Sequence, residues 1–389
     1  MFNKKKKQTT NTPASQALCN IHQELKKKSG TQSPISAANS PLMPEEMELV
    51  HKIEACARYL NANNVTRTRA YLEFYRKHPE IEWAFLGHMV SRNAGWNMTD
   101  LKGELLSKLL SEKEQHQFFR FLERGNWLIF QDIYPQFLLY EEGLKRNKPL
   151  FHLLSAFGVS TFMETIWNSF WMNENRCTLA IALIINEQYY LEQRVIQNKG
   201  YQQSVLETIE FKLQDVLSLN HILFPYESGK SEKTKLLGQT LHQFASLHER
   251  ISLGKRLYSL LFSSQNILNQ IVDWAISNPH TGSRKDFWPH LFNDVKVSVP
   301  GSLYIPQIKN CTLKKNAPRL YSPKLQHVWK DMKHEPAEQM DWFQDWSIID
   351  YFENPYKHVD GEIKHEYCKT IEKLELAIFT KKALFLRKE

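Results

Sequence analysis

Residues 80–101 read EIEWAFLGHMVSRNAGWNMTDL and place His88 and Arg92 one helical turn apart in an otherwise apolar segment. At the angular step of an α-helix, Trp83, Leu86 and Val90 take one side, while Ile81, Phe85 and Met89 share the other with His88 and Arg92. A helix that is apolar all round is buried, so the imidazole and the guanidinium are carried into the interior or onto a cavity wall. There each needs a partner or a function. Asn93 and Gly95 suit a left-handed helix stop, and Thr99 or Asp100 can cap a following helix whose free N–H groups point back to the same junction. His88 as general acid or base, Arg92 and Asn93 as anion binders, Asn97 and that helix terminus could together hold an anion or polarise a carbonyl or phosphoryl oxygen. The competing reading is structural: Arg92 pairs with a buried carboxylate such as Glu82, Asp100 or Glu187, and His88 donates to a backbone carbonyl.

A second cluster, Asn278 to Trp288 (NPHTGSRKDFW), reads as a glycine-containing turn feeding a short helix that Ser283 or Thr281 can cap. Arg284 and Lys285 in its first turn oppose the helix dipole, which is tolerable in water and useful where an anion sits. Arg284 is therefore the candidate second anion clamp, against the alternative of a solvated basic turn.

Other chemistry fails on position. Gly229-Lys230-Ser231 resembles the end of a phosphate-binding loop, but the required upstream glycine is Phe224 and no strand is expected before it. Gly158-Val159-Ser160-Thr161-Phe162 begins like a nucleophile elbow and closes on phenylalanine in a helical setting. The pairs Glu48/His51 and Glu362/His365 have the spacing of di-iron ligands, yet the apolar faces of their helices turn them to solvent. His327, Asp331 and His334 share one helical face opposite Leu325, Val328, Trp329 and Met332, which makes them surface residues. No metal and no cofactor is expected.

The elements that must position these side chains are mainly helical. Pro44 opens an amphipathic helix with Met47, Val50, Ile53, Ala57 and Leu60 inward, and helical periodicity runs on to about residue 277. Ser111-x-x-Glu114 and Thr161-x-x-Glu164 read as capping boxes, Gly125 and Gly158 as helix stops, and Pro79 as a break. From residue 278 seven prolines recur up to Pro336, Val295, Val297 and Val299 alternate like a short strand, and aromatics from Trp288 to Phe352 look like anchors of an irregular strap. A helix over about 362–386, with Ile371, Leu374 and Ile378 on one face, closes the chain. The expected organisation is a disordered lysine-rich tail (1–44), a helical domain (45–277), and an irregular Pro- and aromatic-rich segment with its terminal helix (278–389) packed on that domain.

The 389 residues carry a formal charge of +8. Lys4, Lys5, Lys6, Lys7, Lys26, Lys27 and Lys28 against Glu24 give residues 1–44 a net +6, so weak, salt-sensitive contact with polyanions belongs to that stretch and the body is nearly neutral. The lysine run leads into polar residues rather than a secretory apolar run, and the longest apolar run, Leu179–Ile185, is too short to span a bilayer. Five scattered cysteines without a C-x-x-C pair fit reduced thiols in a cytoplasm.

The segments HPEIEWAFLGHMVSRNAGWNMTDLKG, LIFQDIYPQFLLY and NPHTGSRKDFWPHLF resemble an uncharacterised family of Bacillus-type bacteria, known only as a domain of unknown function, over about residues 45–385. The resemblance implies a cytoplasmic bacterial protein and supplies no activity, cofactor or catalytic residue. The expected function is that of a soluble, cytoplasmic helical protein that binds a protein or an anionic ligand. Its rival is an enzyme acting on an anionic or phosphorylated small molecule through His88, Arg92, Asn93 and Arg284.

Overall fold

A computed structural model describes residues 13–29, 42–201, 221–227, 234–297, 304–338, 340–352 and 359–385. Its axis is helix α4 (Glu82–Asp100), fifteen of whose nineteen residues are buried. It is surrounded by α3 (Asn64–Lys77), α6 (Glu112–Arg146), α8 (Arg176–Leu191) and α9 (Leu247–Phe262). Further out lie α1 (Pro13–Ser29), α2 (Pro44–Leu60), the single turn α5 (Leu106–Leu109), α7 (Thr161–Asn173), α10 (Gln265–Ser277) and the terminal α11 (Lys364–Phe385). The fold is mainly α.

Capping chemistry sets several helix starts. Asn63 accepts from the Thr66 N–H ahead of α3, and Ser111 and Glu114 form the expected reciprocal box ahead of α6. At α7 the Thr161/Glu164 box is replaced: Asp341, from far along the chain, accepts from the Thr161 N–H at 3.0 Å and from the Ser160 and Thr161 hydroxyls at 2.6 and 2.7 Å. Glu164 instead pairs with Lys28 at 3.2 Å.

Two glycines predicted as stops lie inside or beside helices for other reasons. Helix α6 continues through Gly125 for 35 residues because Leu128, Phe130, Ile133, Phe137 and Leu139 beyond it are buried, and packing outweighs a single unfavourable residue. Helix α4 likewise runs through Asn93 and Gly95 to Asp100. A Cβ on Gly95 would lie 2.2 Å from Asn64 Oδ1 and 2.4 Å from His280 Nε2, so the glycine serves close approach rather than termination. Gly158, at φ 71°, is a left-handed stop as predicted, and the break at Pro79 separates α3 from α4. Met47, expected inward, is 45% exposed, while Leu49, Val50, Ile53 and Ala57 are buried.

The continuous helical run to residue 277 is interrupted by an antiparallel hairpin, β1 (His221–Tyr226) with β2 (Lys235–Thr240). A strand therefore does precede Gly229, and Phe224, where that loop needs its upstream glycine, faces the core; Gly229, Lys230 and Ser231 lie outside the described residues. Beyond residue 277 the chain wraps. Short pairings join β3 (Phe292–Asn293) to β6 (Leu320–Tyr321) in parallel and β4 (Ile308–Lys309) to β5 (Thr312–Leu313) antiparallel. Val295 and Val297 are exposed and outside any strand, and Val299 lies outside the described residues.

Aromatic anchors fix the strap. Trp329 stacks on Phe119 at 4.1 Å and donates to the Met98 carbonyl at 2.8 Å. Trp342 donates to Asn186 at 2.9 Å. Asn186 in turn donates to Asp132, which also accepts from Gln136 at 3.0 Å, and Gln136 accepts from Trp167 at 2.8 Å. Burial pushes the Asp132 carboxyl up to about 7. Helix α11 buries Ile371, Leu374 and Ile378 as expected.

Part of the lysine-rich leader is helical. Helix α1 buries Ala17, Ile21 and Leu25 and packs on α7 and the turn Trp346–Phe352, with His22 stacked on Trp346 at 4.9 Å and Lys26 over the same ring. Lys26, Lys27 and Lys28 thus sit on a docked helix; Lys4, Lys5, Lys6 and Lys7 lie outside the described residues.

The reading of reduced thiols needs correction at one pair. Cys311 and Cys368 are disulfide-bonded across a separation of 57 residues, while Cys19, Cys56 and Cys177 are free. The bond ties the strap to α11. In the chain-entropy account a loop of this length stabilises by about 4 kcal/mol, so Cys311→Ser should lower the urea midpoint, and a reductant should do the same to the parent but not to the variant. Equal midpoints for the parent with and without reductant would show that the strap is held by packing alone.

Candidate functional site

The four side chains singled out in the sequence are all interior: His88, Arg92 and Arg284 are each 1% exposed and Asn93 is 0%. Helix α3 crosses α4 closely because small polar side chains meet at the crossing. Asn64 donates to the Ser91 carbonyl at 2.8 Å, and the Thr68 and Ser91 hydroxyls are 2.6 Å apart. The crossing also brings the Thr68 carbonyl within 2.7 Å of His88 Nδ1. Burial and the neighbouring Arg92 hold the His88 imidazole well below the usual histidine range. The ring is neutral, Nδ1–H donates to Thr68, and Nε2 accepts from Arg92 Nε at 2.9 Å.

Arg92 faces the C-terminus of α10. Its Nη2 donates to the Ala275 and Asn278 carbonyls at 2.9 and 2.5 Å, and the guanidinium lies 4.9 Å from the centre of the Trp274 ring. A cation at a helix C-terminus satisfies terminal carbonyls and complements the dipole. Burial pulls Arg92 down to about 10, so it stays charged at neutral pH. None of the three carboxylates considered for it takes the role. Asp100 pairs with Arg284, Glu82 accepts from Tyr258, and Glu187 accepts from Gln188.

Asn93 points to β1, donating to the Leu223 carbonyl at 2.9 Å and accepting from the Leu223 N–H at 2.8 Å. It pins the hairpin to the axis. Arg284, held by Ser283 as the expected cap, reaches the end of α4, where it donates to Asp100 Oδ2 from Nη2 at 2.8 Å and to Asn97 Oδ1 at 2.9 Å. The structure thus joins His88 to Arg92, gives Asn93 and Arg284 separate partners, and extends α4 through the junction where a helix terminus was expected.

Two buried residues between these groups escaped the sequence reading. His280 meets Asn64 at 2.9 Å, and its Nδ1 lies 3.7 Å from Asp286, whose carboxylate accepts from the Thr281 N–H at 2.9 Å and hydroxyl at 2.6 Å. Both belong to the turn flagged for Arg284. Its histidine and aspartate carried no helical spacing to mark them as inward.

On the flank of α4 that carries Trp83, Leu86 and Val90 lies a cavity of about 210 Å³. Tyr71 of α3, Ile129 of α6, Ile184, Glu187 and Leu191 of α8, Ile222 of β1, Phe244, and Leu253 and Leu257 of α9 complete most of its wall. The lining is largely hydrocarbon. Its charged guanidinium groups are already committed: Arg67 pairs with Glu123 at 2.5 Å, and Arg250 pairs with Glu192 and donates to Gln188 at 2.9 Å and to the Phe244 carbonyl at 2.6 Å. Glu187 differs. Its one hydrogen bond among those described is to the Gln188 amide at 2.9 Å, and burial, only partly offset by that bond and by Arg250, pushes its carboxyl up to about 8. At neutral pH it is a protonated acid, able both to donate and to accept. The sequence placed Glu187 only as a possible partner of Arg92, and apolar periodicity gave no sign that helices would leave a space there.

The metal-spaced pairs behave variously. Glu48 and His51 are exposed, as are His327 and Asp331, but the His334 side chain is only 4% exposed, stacks on Trp127 at 5.0 Å and lies 3.7 Å from Glu123. Residues 331–338 are not helical, which removes the periodicity that had turned His334 outward. Among the described residues no group of three or more histidine, cysteine, aspartate or glutamate side chains could hold a metal ion.

A family described as "Protein of unknown function (DUF2515)" matches residues 59–368. The chain belongs to the DUF2515 family. It is 45% identical over 239 residues to the uncharacterized protein YppC of Bacillus subtilis (strain 168), covering 61% of this chain and 73% of that protein. No solved structure matches it. No helix among the described residues is long and apolar enough to cross a membrane.

Two outcomes follow from this geometry. Arg92→Ala leaves His88 Nε2 and the α10 carbonyls without their donor and should cost about 3–5 kcal/mol in urea unfolding; an unchanged midpoint would contradict the structural role. Glu187 is protonated in the fold up to about pH 8 but ionises near 4.5 when unfolded, so its stabilising contribution is complete at low pH and is lost as pH rises toward 8. Glu187→Gln should therefore flatten the fall in melting temperature between about pH 5 and pH 8. Parallel curves for parent and variant would place that carboxyl in water.

Proposed function

We propose that the protein is a cytoplasmic binding protein for a small, largely apolar ligand carrying one hydrogen-bonding group. The observation that carries this reading is the hydrocarbon-lined cavity beside α4 with a single carboxyl in its wall, Glu187, which burial pushes up to about 8. An apolar body would fill the space between α3, α4, α8 and α9, and the Glu187 acid would meet a carbonyl, hydroxyl or similar head without the cost of burying an anion. Three free, exposed thiols support the cytoplasmic setting, and the Cys311–Cys368 bond is the feature that weighs against it.

The enzymatic alternative draws less support. Both ring nitrogens of His88 are engaged, Arg92 is occupied by carbonyls, and Arg284 by Asp100, so none of the three is poised toward a substrate.

N-phenyl-1-naphthylamine, a neutral probe that brightens in apolar surroundings, should bind saturably to the parent protein. Val90→Trp, which fills the cavity from its half-buried rim, should weaken that binding at least about tenfold, equivalent to 1.4 kcal/mol, with the helical spectrum retained. Identical titrations of parent and variant would remove the cavity as the ligand site.

A further inference from the structure

On the other side of α6 lies a second pocket, of about 450 Å³ and mainly polar, with no signature in the residue pattern. Arg120 and Arg124 enter it from one face of α6, Arg194 from the widened turn Glu192–Ile196 that ends α8, and Lys333 from the strap. Like charges one helical turn apart, as Arg120 and Arg124 are, repel each other. A third guanidinium brought in from another element adds to that cost.

The protein's own groups answer it only in part. Arg124 Nη1 donates to the Glu335 carbonyl at 2.6 Å, and Arg194 Nη2 donates to the Glu338 and Met340 carbonyls at 2.9 and 2.7 Å. These bonds fix the guanidinium groups in place but bring no full negative charge. The Arg194 guanidinium sits over the Tyr190 ring, 3.8 Å from its centre, and its Nε and Nη1 are buried with no partner. Neither Arg120 nor Arg194 has an ion-pair partner among the described residues. Glu335 and Glu338 also line the pocket, and both are exposed to water.

We infer that this pocket binds a multiply charged oxyanion, the di- or triphosphate group of a small metabolite. Planar guanidinium groups arranged around a concavity match phosphate oxygens in geometry and in charge, and one held by aromatic stacking and by carbonyls loses little freedom on binding. The several cations call for more than one phosphate. This site is separate from the apolar cavity, and the inference does not rest on the ligand proposed there.

Inorganic pyrophosphate is the probe, titrated calorimetrically into the full-length protein at low and at moderate salt. The parent should bind one equivalent saturably and more weakly as salt rises. Arg120→Ala with Lys333→Ala, both exposed and so without effect on the fold, should weaken binding at least tenfold, and Arg194→Gln should abolish it. If Arg194→Gln lowers the melting temperature, the exposed double variant decides. Absence of saturable heat with the parent, or equal affinity in the double variant, would overturn the inference.

Discussion

A permanent positive charge buried at the centre of a helical protein must be met by something, and in this fold it is met by backbone. The Arg92 guanidinium ends α10 by taking two of its last carbonyls, rests on Trp274, and reaches back one turn to a neutral His88. Because the partners are carbonyls and a ring nitrogen rather than a carboxylate, the charge is met by dipoles through Nε and Nη2 while Nη1 stays buried without a hydrogen-bond partner, and it holds three elements in one register. His88 cannot leave its neutral state without losing the Arg92 bond, and the α3–α4 crossing depends on the His88–Thr68 contact. The polar residues of α4 therefore each tie the axis to a different neighbour: His88 and Arg92 to α3 and α10, Asn93 to β1, and Asn97 to the turn that carries Arg284.

That support explains why the opposite flank of α4 can be hollow. Interiors are normally packed to crystal density, and a cavity costs stability unless the walls are held by interactions elsewhere. Here α3 is fixed to α4 by Asn64, Thr68 and Ser91, β1 by Asn93, and α10 by Arg92. Close contact of α8 with α9, where a Cβ on Gly254 would lie 2.6 Å from Ile184, clamps the remaining wall. A space bounded by Leu86, Leu253 and Leu257 survives between elements that cannot slide together.

Much of this arrangement was readable in the chain. Apolar residues on every side of residues 81–98 told that α4 is buried, and with it His88 and Arg92. Recurrent prolines and spaced tryptophans told that the last third wraps as a strap. The partners were not readable, because they are set by long-range approach: Ala275 and Asn278 carbonyls carry no sequence signature, and Gly95 is as consistent with a helix stop as with a close crossing. The hairpin β1–β2 was hidden because Leu223 and Phe224 on one strand and Leu236 and Leu237 on the other form short apolar runs that suit either periodicity. The Glu187 cavity left no trace either, since an acid that stays protonated is written with the same letter as one that is ionised.

The separation between Arg92 and its carbonyl partners also orders events during synthesis. The axis helix leaves the ribosome more than 180 residues before the turn that receives its guanidinium. Until residue 278 has emerged, a nascent chain that collapsed around α4 would enclose a cation with nothing to solvate it, a state more costly than leaving the segment wet. Complete burial of the N-terminal helices around α4 thus requires residues from the last third of the polypeptide.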